Sequence, residues 1–197
     1  MANVLTTKEE VKKWLEDTQG TSQFDALLDE IVLAVSQRIE LASNRKLFSA
    51  EYTELHDGGC SRIYVRNPPI TEIDSIVYAP DYDFANGVTL GTAEYILDPS
   101  DRKTAIYSMF GTFLSGMEAL KIVYTGGYIP ADDSNTNVPP AVKAAATIQA
   151  VYLFKNRKTI GFDNVTVGEG ILNKVSNRWL LPEVQDVVKA LRVKNIY

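Results

Sequence analysis

The stretch VPPAVKAAATIQAVYLF, residues 138–154, constrains the fold more than any other part of the chain. Two prolines are tolerated in the first turn of a helix, so a helix is expected to open at 139–140. Lys143 is its only charge. Projected at helical spacing, Val142, Ala145, Ala146 and Leu153 lie on one side. Ile148, Val151 and Tyr152 lie round the other. A helix that is apolar on most of its faces is buried on most of its faces. The run is too short, and with Lys143 too polar, to cross a bilayer. It must therefore be covered by other helices, by a sheet, or by a neighbouring copy.

The rest of the chain offers such cover. Thr6 or Thr7 can cap a first helix, with Glu9 or Glu10 three residues on in either case. That helix is expected to run through Trp14 and stop before Gly20. A second helix is expected from Ser22 or Gln23. In it Phe24, Leu27, Leu28, Ile31, Val35, Ile39 and Ala42 form one apolar face, and Leu33 lies nearly opposite as a second contact point. From about Glu51 the period changes to two. Strands are expected at 62–66, 73–78, 95–97, 104–107 and 120–124, with Gly, Pro, Asn and Asp clusters between them. Pro68-Pro69 interrupts pairing there, and Gly126-Gly127 ends the last strand. Residues 132–137 read as a polar loop and 159–178 as a mobile loop, with Gly168 and Gly170 suited to the tip of a hairpin. Pro182 opens a terminal helix, with Val184, Val187, Val188 and Leu191 at i, i+3, i+4 and i+7. The fold class expected is α+β: a helical bundle from the two ends of the chain, with a β-rich insertion of short antiparallel strands. One domain is expected over residues 1–197. Its parts are a helical segment at 1–48, the β-rich insert at 49–128, the apolar helix at 138–158, the loop at 159–179, and the terminal helix and tail at 181–197.

Size and charge narrow the function. A chain of 197 residues buries roughly 70% of its unfolded surface without disulfide staples. Its single cysteine, Cys60, fits a reducing compartment. The opening residues MANVLTTKEEVKKW lack an apolar secretory core. The net charge is −5, distributed unevenly. From Lys155 onward eight Lys and Arg face four Asp and Glu, a balance of +4 that leaves −9 on the first 154 residues. A general DNA binder needs a broad positive face, which this is not. The basic end suits an acidic partner or a second copy.

No catalytic constellation, cofactor or metal site is expected. His56, the only histidine, lies near Asp57 and Cys60, but a zinc site needs three or four ligands and no second His or Cys completes one. The glycines of 57–59, 125–127 and 168–170 match neither phosphate-cradling pattern. The pairs Asp81/Asp83 and Asp132/Asp133 match no calcium loop and read as solvated turns. Tyr124, Tyr128 and Tyr152 read either as core or as interface. A small hydrolase using Asp and Glu would need a pocket with converging carboxylates.

Five segments in order resemble one family. They are NPPITEIDSIVY (67–78), EYILD (94–98), KIVYTGGY (121–128), VPPAVKAAATIQAVYLFKNR (138–157) and LLPEVQDVVKALR (180–192). Together with the start TTKEEVKKWL, they resemble the head–tail connector, or adaptor, proteins of tailed bacteriophages and prophages. Gly126 stands where that family often has Ala, and loop 159–178 has no counterpart. The resemblance implies a structural protein of the virion neck, assembled in the bacterial host cytoplasm. It implies a ring of about twelve copies, which needs two different contact surfaces per subunit. Such a ring sits below the portal protein and extends the DNA channel, through which DNA passes without sequence-specific binding. It docks the tail or the next connector component. Another neck ring protein, a stopper or tail-completion protein, is the alternative. On this reading the portal-docking tail is Arg192, Lys194, Ile196 and Tyr197, and the inter-subunit surface is Leu33, Ile148, Val151 and Tyr152. Removal of 192–197 is expected to leave the fold intact.

Overall fold

The computed structural model describes residues 3–15, 22–100, 102–157 and 179–192. They divide into two compact units. One is helical and combines the two ends of the chain. The other is β-rich and spans residues 45–129. The chain is α+β, and among the described residues its strands are antiparallel in two sheets.

The helical unit holds α1 (Lys8–Trp14), α2 (Asp25–Ser43), α3 (Pro140–Lys155) and α4 (Pro182–Leu191). Thr7 caps α1, its hydroxyl accepting from the Glu10 amide at 3.4 Å. A 3-10 turn, Ser22–Phe24, precedes α2, so the α-helix proper begins later than its apolar pattern suggests. The buried stripe of α2 also differs from the expected one. Leu28, Val35 and Ile39 are inside, joined by Val32, Ser36 and Ser43, whereas Leu27, Ile31 and Ala42 are only half-buried. The reason lies in Ser36. Its hydroxyl donates to Val32 O at 2.8 Å and accepts from the Leu5 amide at 3.0 Å, so a polar residue faces inward to hold the segment before α1.

Helix α3 packs against α1, α2 and α4. Its deepest positions are Val142, Ala145, Ala146, Thr147, Gln149 and Ala150. Small side chains let the other helices approach closely, and the two polar ones are satisfied through bonds to other segments. Thr147 Oγ1 shares a hydrogen with Thr6 Oγ1 at 2.7 Å, and Gln149 Oε1 accepts from the Leu181 amide at 2.9 Å. The cover that residues 138–154 demand is thus largely found within one chain. Loop 159–178 lies outside the described residues.

The β unit contains seven strands. β1 (Ala50–His56), β3 (Ile70–Tyr78), β4 (Val88–Thr89) and β7 (Leu120–Gly126) form a sheet ordered β1-β7-β3-β4. β2 (Arg62–Tyr64), β5 (Tyr95–Leu97) and β6 (Ala105–Ser108) form a second, ordered β2-β6-β5. β1 and β4 are not distinguished by sequence pattern, and β3 begins directly after Pro69. β7 alternates strictly, with Leu120, Ile122, Tyr124 and Gly126 buried. Leu120, Ile122 and Tyr124 join Ile63, Val65, Ile70, Ile76, Ile106 and Phe113 in one core. β7 runs to Gly126, where glycine is required because a Cβ would meet Asn67 O at 2.6 Å. Gly127 then turns the chain with φ +100°.

Candidate functional site

In the β unit, Tyr124, His56 and the Arg66 amide converge on one buried carboxylate, Glu54 in β1. Alternation along β1 puts Glu54 on the inner face, and its side chain is only 5% exposed. An isolated carboxylate there would be costly, so it gathers donors. Tyr124 Oη donates to Glu54 Oε1 at 2.6 Å. His56 Nε2 lies 2.9 Å from Oε2, and the Arg66 amide reaches both oxygens at 3.1 and 3.2 Å. Tyr124 in turn accepts from the Asn67 amide at 3.2 Å. Burial pushes the Glu54 carboxyl upward, but the bonds from His56 and Tyr124 outweigh it, and the group rests below its ordinary range. Burial and the adjacent carboxylate push the Tyr124 phenol far above its ordinary value. Every lone pair used here is turned toward the fold, so the cluster staples β1, β7 and the segment after β2.

The rejected metal candidates serve the same kind of local role. Cys60 Sγ donates to Asp57 O at 3.6 Å, and Asp57 Oδ1 accepts from the Glu118 amide at 2.6 Å. Among the described residues no group of three or more His, Cys, Asp or Glu could hold a metal ion. Asp81, Asp83 and Asp133 carboxylates accept from side chains or amides two or three residues away, as turn residues do. No described helix is long and apolar enough to cross a membrane.

Arg45 is a second charge drawn inward in this unit, and it is half-buried. It donates through Nη2 to Pro68 O at 2.7 Å and lies 5.8 Å from the Tyr128 ring centre. Burial lowers its pKa. Tyr128 thus works as a platform inside the fold.

In the helical unit, the expected contact residues fall on three elements. Leu33 is 38% exposed on α2. Ile148, Val151 and Tyr152 form a half-buried stripe along α3. Arg192 follows α4, and its Nε and Nη2 donate to Ala42 O at 3.2 and 2.9 Å, holding the last turn of α2. Lys194, Ile196 and Tyr197 lie outside the described residues. The end of α3 has a physical reason for its aromatic-x-Asn-Arg sequence. Asn156 Nδ2 donates to Tyr152 O at 2.8 Å and Arg157 Nη1 to Phe154 O at 2.6 Å. The Arg157 guanidinium lies 4.0 Å from the Phe154 ring centre and 5.0 Å from that of Phe24. The motif therefore caps a helix and binds it to the start of α2.

One feature has no clear signal in the sequence. The segment between β6 and β7 carries Met109, Phe110, Leu114 and Met117, all exposed, around the buried Phe113. An apolar residue every few positions in a Gly- and Ser-containing loop matches neither period, so pattern reading passes over it.

No protein-family model matches the chain, and no curated protein matches it. Among solved structures, it is similar to a chain in the neck of a native gene transfer agent (GTA) particle computed with C12 symmetry. The TM-score is 0.53 at 15% identity, covering 100% of this chain and 97% of the other. A chain of the virion of the native gene transfer agent particle gives 0.53 at 16% identity, over 88% of this chain and 80% of that one. The neck of the empty particle, computed with C6 symmetry, gives 0.53 at 16% identity over 96% and 90%. At such identities the likeness is one of fold, and it runs through both units of the chain.

Proposed function

We propose that the chain is a head–tail connector, or adaptor, of a tailed phage, prophage or related particle, acting as one connector domain over residues 1–197. The observation that carries this reading is the fold likeness over 100% of the chain to a component of a particle neck computed with twelve-fold symmetry. The ordered motifs of the sequence support it independently. On this reading the role is structural, without catalysis or cofactor, and the place is the virion neck, after assembly in the host cytoplasm. A closed ring needs two different contact surfaces on each subunit. Leu33 supplies one element of such a surface, and the Ile148, Val151 and Tyr152 stripe another. The portal protein is the upstream partner, met by the basic tail with Arg192, Lys194, Ile196 and Tyr197, where charge steers and apolar ends anchor. The downstream partner is the tail or the next connector component. An acidic body suits a channel through which DNA slides, since negative walls repel phosphates rather than hold them.

Arg192 braces α2, so the docking test is best made with it kept in place. Deletion of 193–197 is expected to leave the melting temperature unchanged while abolishing attachment to portal-bearing capsids. Normal attachment of the truncated chain would refute the docking role of the tail.

A further inference from the structure

The loop between β6 and β7 keeps four large apolar side chains in water: Phe110 at 77% exposure, Met117 at 74%, Met109 at 56% and Leu114 at 54%. A mobile loop could fold such residues away. This one is fixed. Gly59 N donates to Phe113 O at 3.0 Å, and Phe113 N to Cys60 O at 2.9 Å. Gly58 N donates to Gly116 O at 2.8 Å, Tyr78 Oη to Ser115 O at 2.9 Å, and Tyr82 Oη to Met117 O at 3.2 Å. Gly58 approaches so closely that a Cβ there would lie 1.7 Å from Leu114 O. Glu118, which follows Met117, and Tyr82, which donates to its carbonyl, hold left-handed backbone conformations (φ 46° and 63°) that are uncommon for non-glycine residues. The fold thus spends many bonds on holding an apolar knob outward.

The rim of the knob is acidic. Asp57 binds the Glu118 amide, Asp81 and Asp83 flank Tyr82, and Glu94 O accepts from the Met109 amide. The nearby cations are turned to rings: Arg62 to Tyr64 at 5.3 Å and Lys121 to Phe84 at 5.9 Å. Negative charge around an exposed apolar centre disfavours DNA and anionic lipid. It also disfavours the same acid-rimmed patch of a second copy, since like charges would face each other.

We infer that residues 109–118 dock a different protein, through a segment that combines apolar side chains with Lys or Arg. The complementary charge steers the segment, and Phe110 and Met117 are the anchors. This rests on the connector reading and places the downstream partner on the β unit.

The test uses assembled particles carrying a photo-cross-linking phenylalanine analogue at position 110, with position 33 as a control. Position 110 is expected to join a different polypeptide, at a peptide rich in Lys or Arg, while position 33 joins a second copy. The double variant Phe110→Ser/Met117→Ser is expected to keep its melting temperature and its place in the particle, with the downstream component reduced at least tenfold. Position 110 joining a second copy, or nothing, in particles where position 33 reacts would overturn the inference alone. Absence of the chain from the particles would remove the connector reading beneath it.

Discussion

The two units solve the same problem, burying polar atoms, in opposite ways. The helical unit spreads them. Ser36, Thr147 and Gln149 each sit on a different part of a helix face and each holds one other segment. The β unit concentrates them on Glu54, where two side chains and one amide meet a single charge. A distributed scheme loses one tie when one residue changes. A concentrated scheme leaves an uncompensated charge in the core, which costs far more. The β unit is therefore the more brittle of the two, although its core contains the larger side chains.

Substitutions rank accordingly. Tyr124→Ala removes a fully buried ring and a donor to Glu54, and is expected to cost about 3–5 kcal/mol in denaturant unfolding. Glu54→Gln keeps the shape but loses the charge-assisted bonds, at about 1–3 kcal/mol. Its pH signature is sharper. Because the Glu54 carboxyl is held below its ordinary range in the fold, its contribution is complete above the unfolded carboxylate pKa. That contribution is lost as pH falls through the folded value. The wild-type melting temperature should thus drop on acidification more steeply than that of Glu54→Gln, and parallel curves would break the comparison. In the helical unit, Gln149→Leu frees the Leu181 amide but also removes Nε2, which is buried without a partner. The two effects oppose, so about 1 kcal/mol is expected, with amide exchange rising in α4 and not in β7. Lys143→Met is smallest. Lys143 donates to Glu10 Oε1 at 3.3 Å and holds that carboxyl below its ordinary range, but the pair is about a third exposed. A loss under about 1 kcal/mol is expected, shrinking further with salt.

The sequence was legible where structure is local. Thr7 capping α1, Pro140 opening α3 and Pro182 opening α4 are statements about neighbours in the chain, and all three can be read without coordinates. So can the period-two run of β7, because each buried residue announces the next. β1 could not be read in the same way. Its alternating positions include Glu54 on the inside and Leu55, 39% exposed, on the outside, which inverts the usual pattern. Only the donors that Tyr124 and the Arg66 amide bring to Glu54, across many intervening residues, make that inversion sensible. The α2 stripe shifted for a like reason: Ser36 earns its inward place from Leu5, which no helical projection contains. Of the candidate contact residues, Leu33 could be picked out because it opposes its own helix's stripe. The apolar knob at 109–118 could not, because its exposure depends on bonds from Gly58, Gly59, Tyr78 and Tyr82.

The central claim is that this chain builds a ring in a particle neck, and the mass of the particle it forms tests that claim most directly. Light scattering after size exclusion, on the purified chain across concentration and again with a portal ring, gives that mass. The account predicts assembly of about twelve copies, at high concentration or on the portal. A folded chain that remains monomeric in both settings would contradict it.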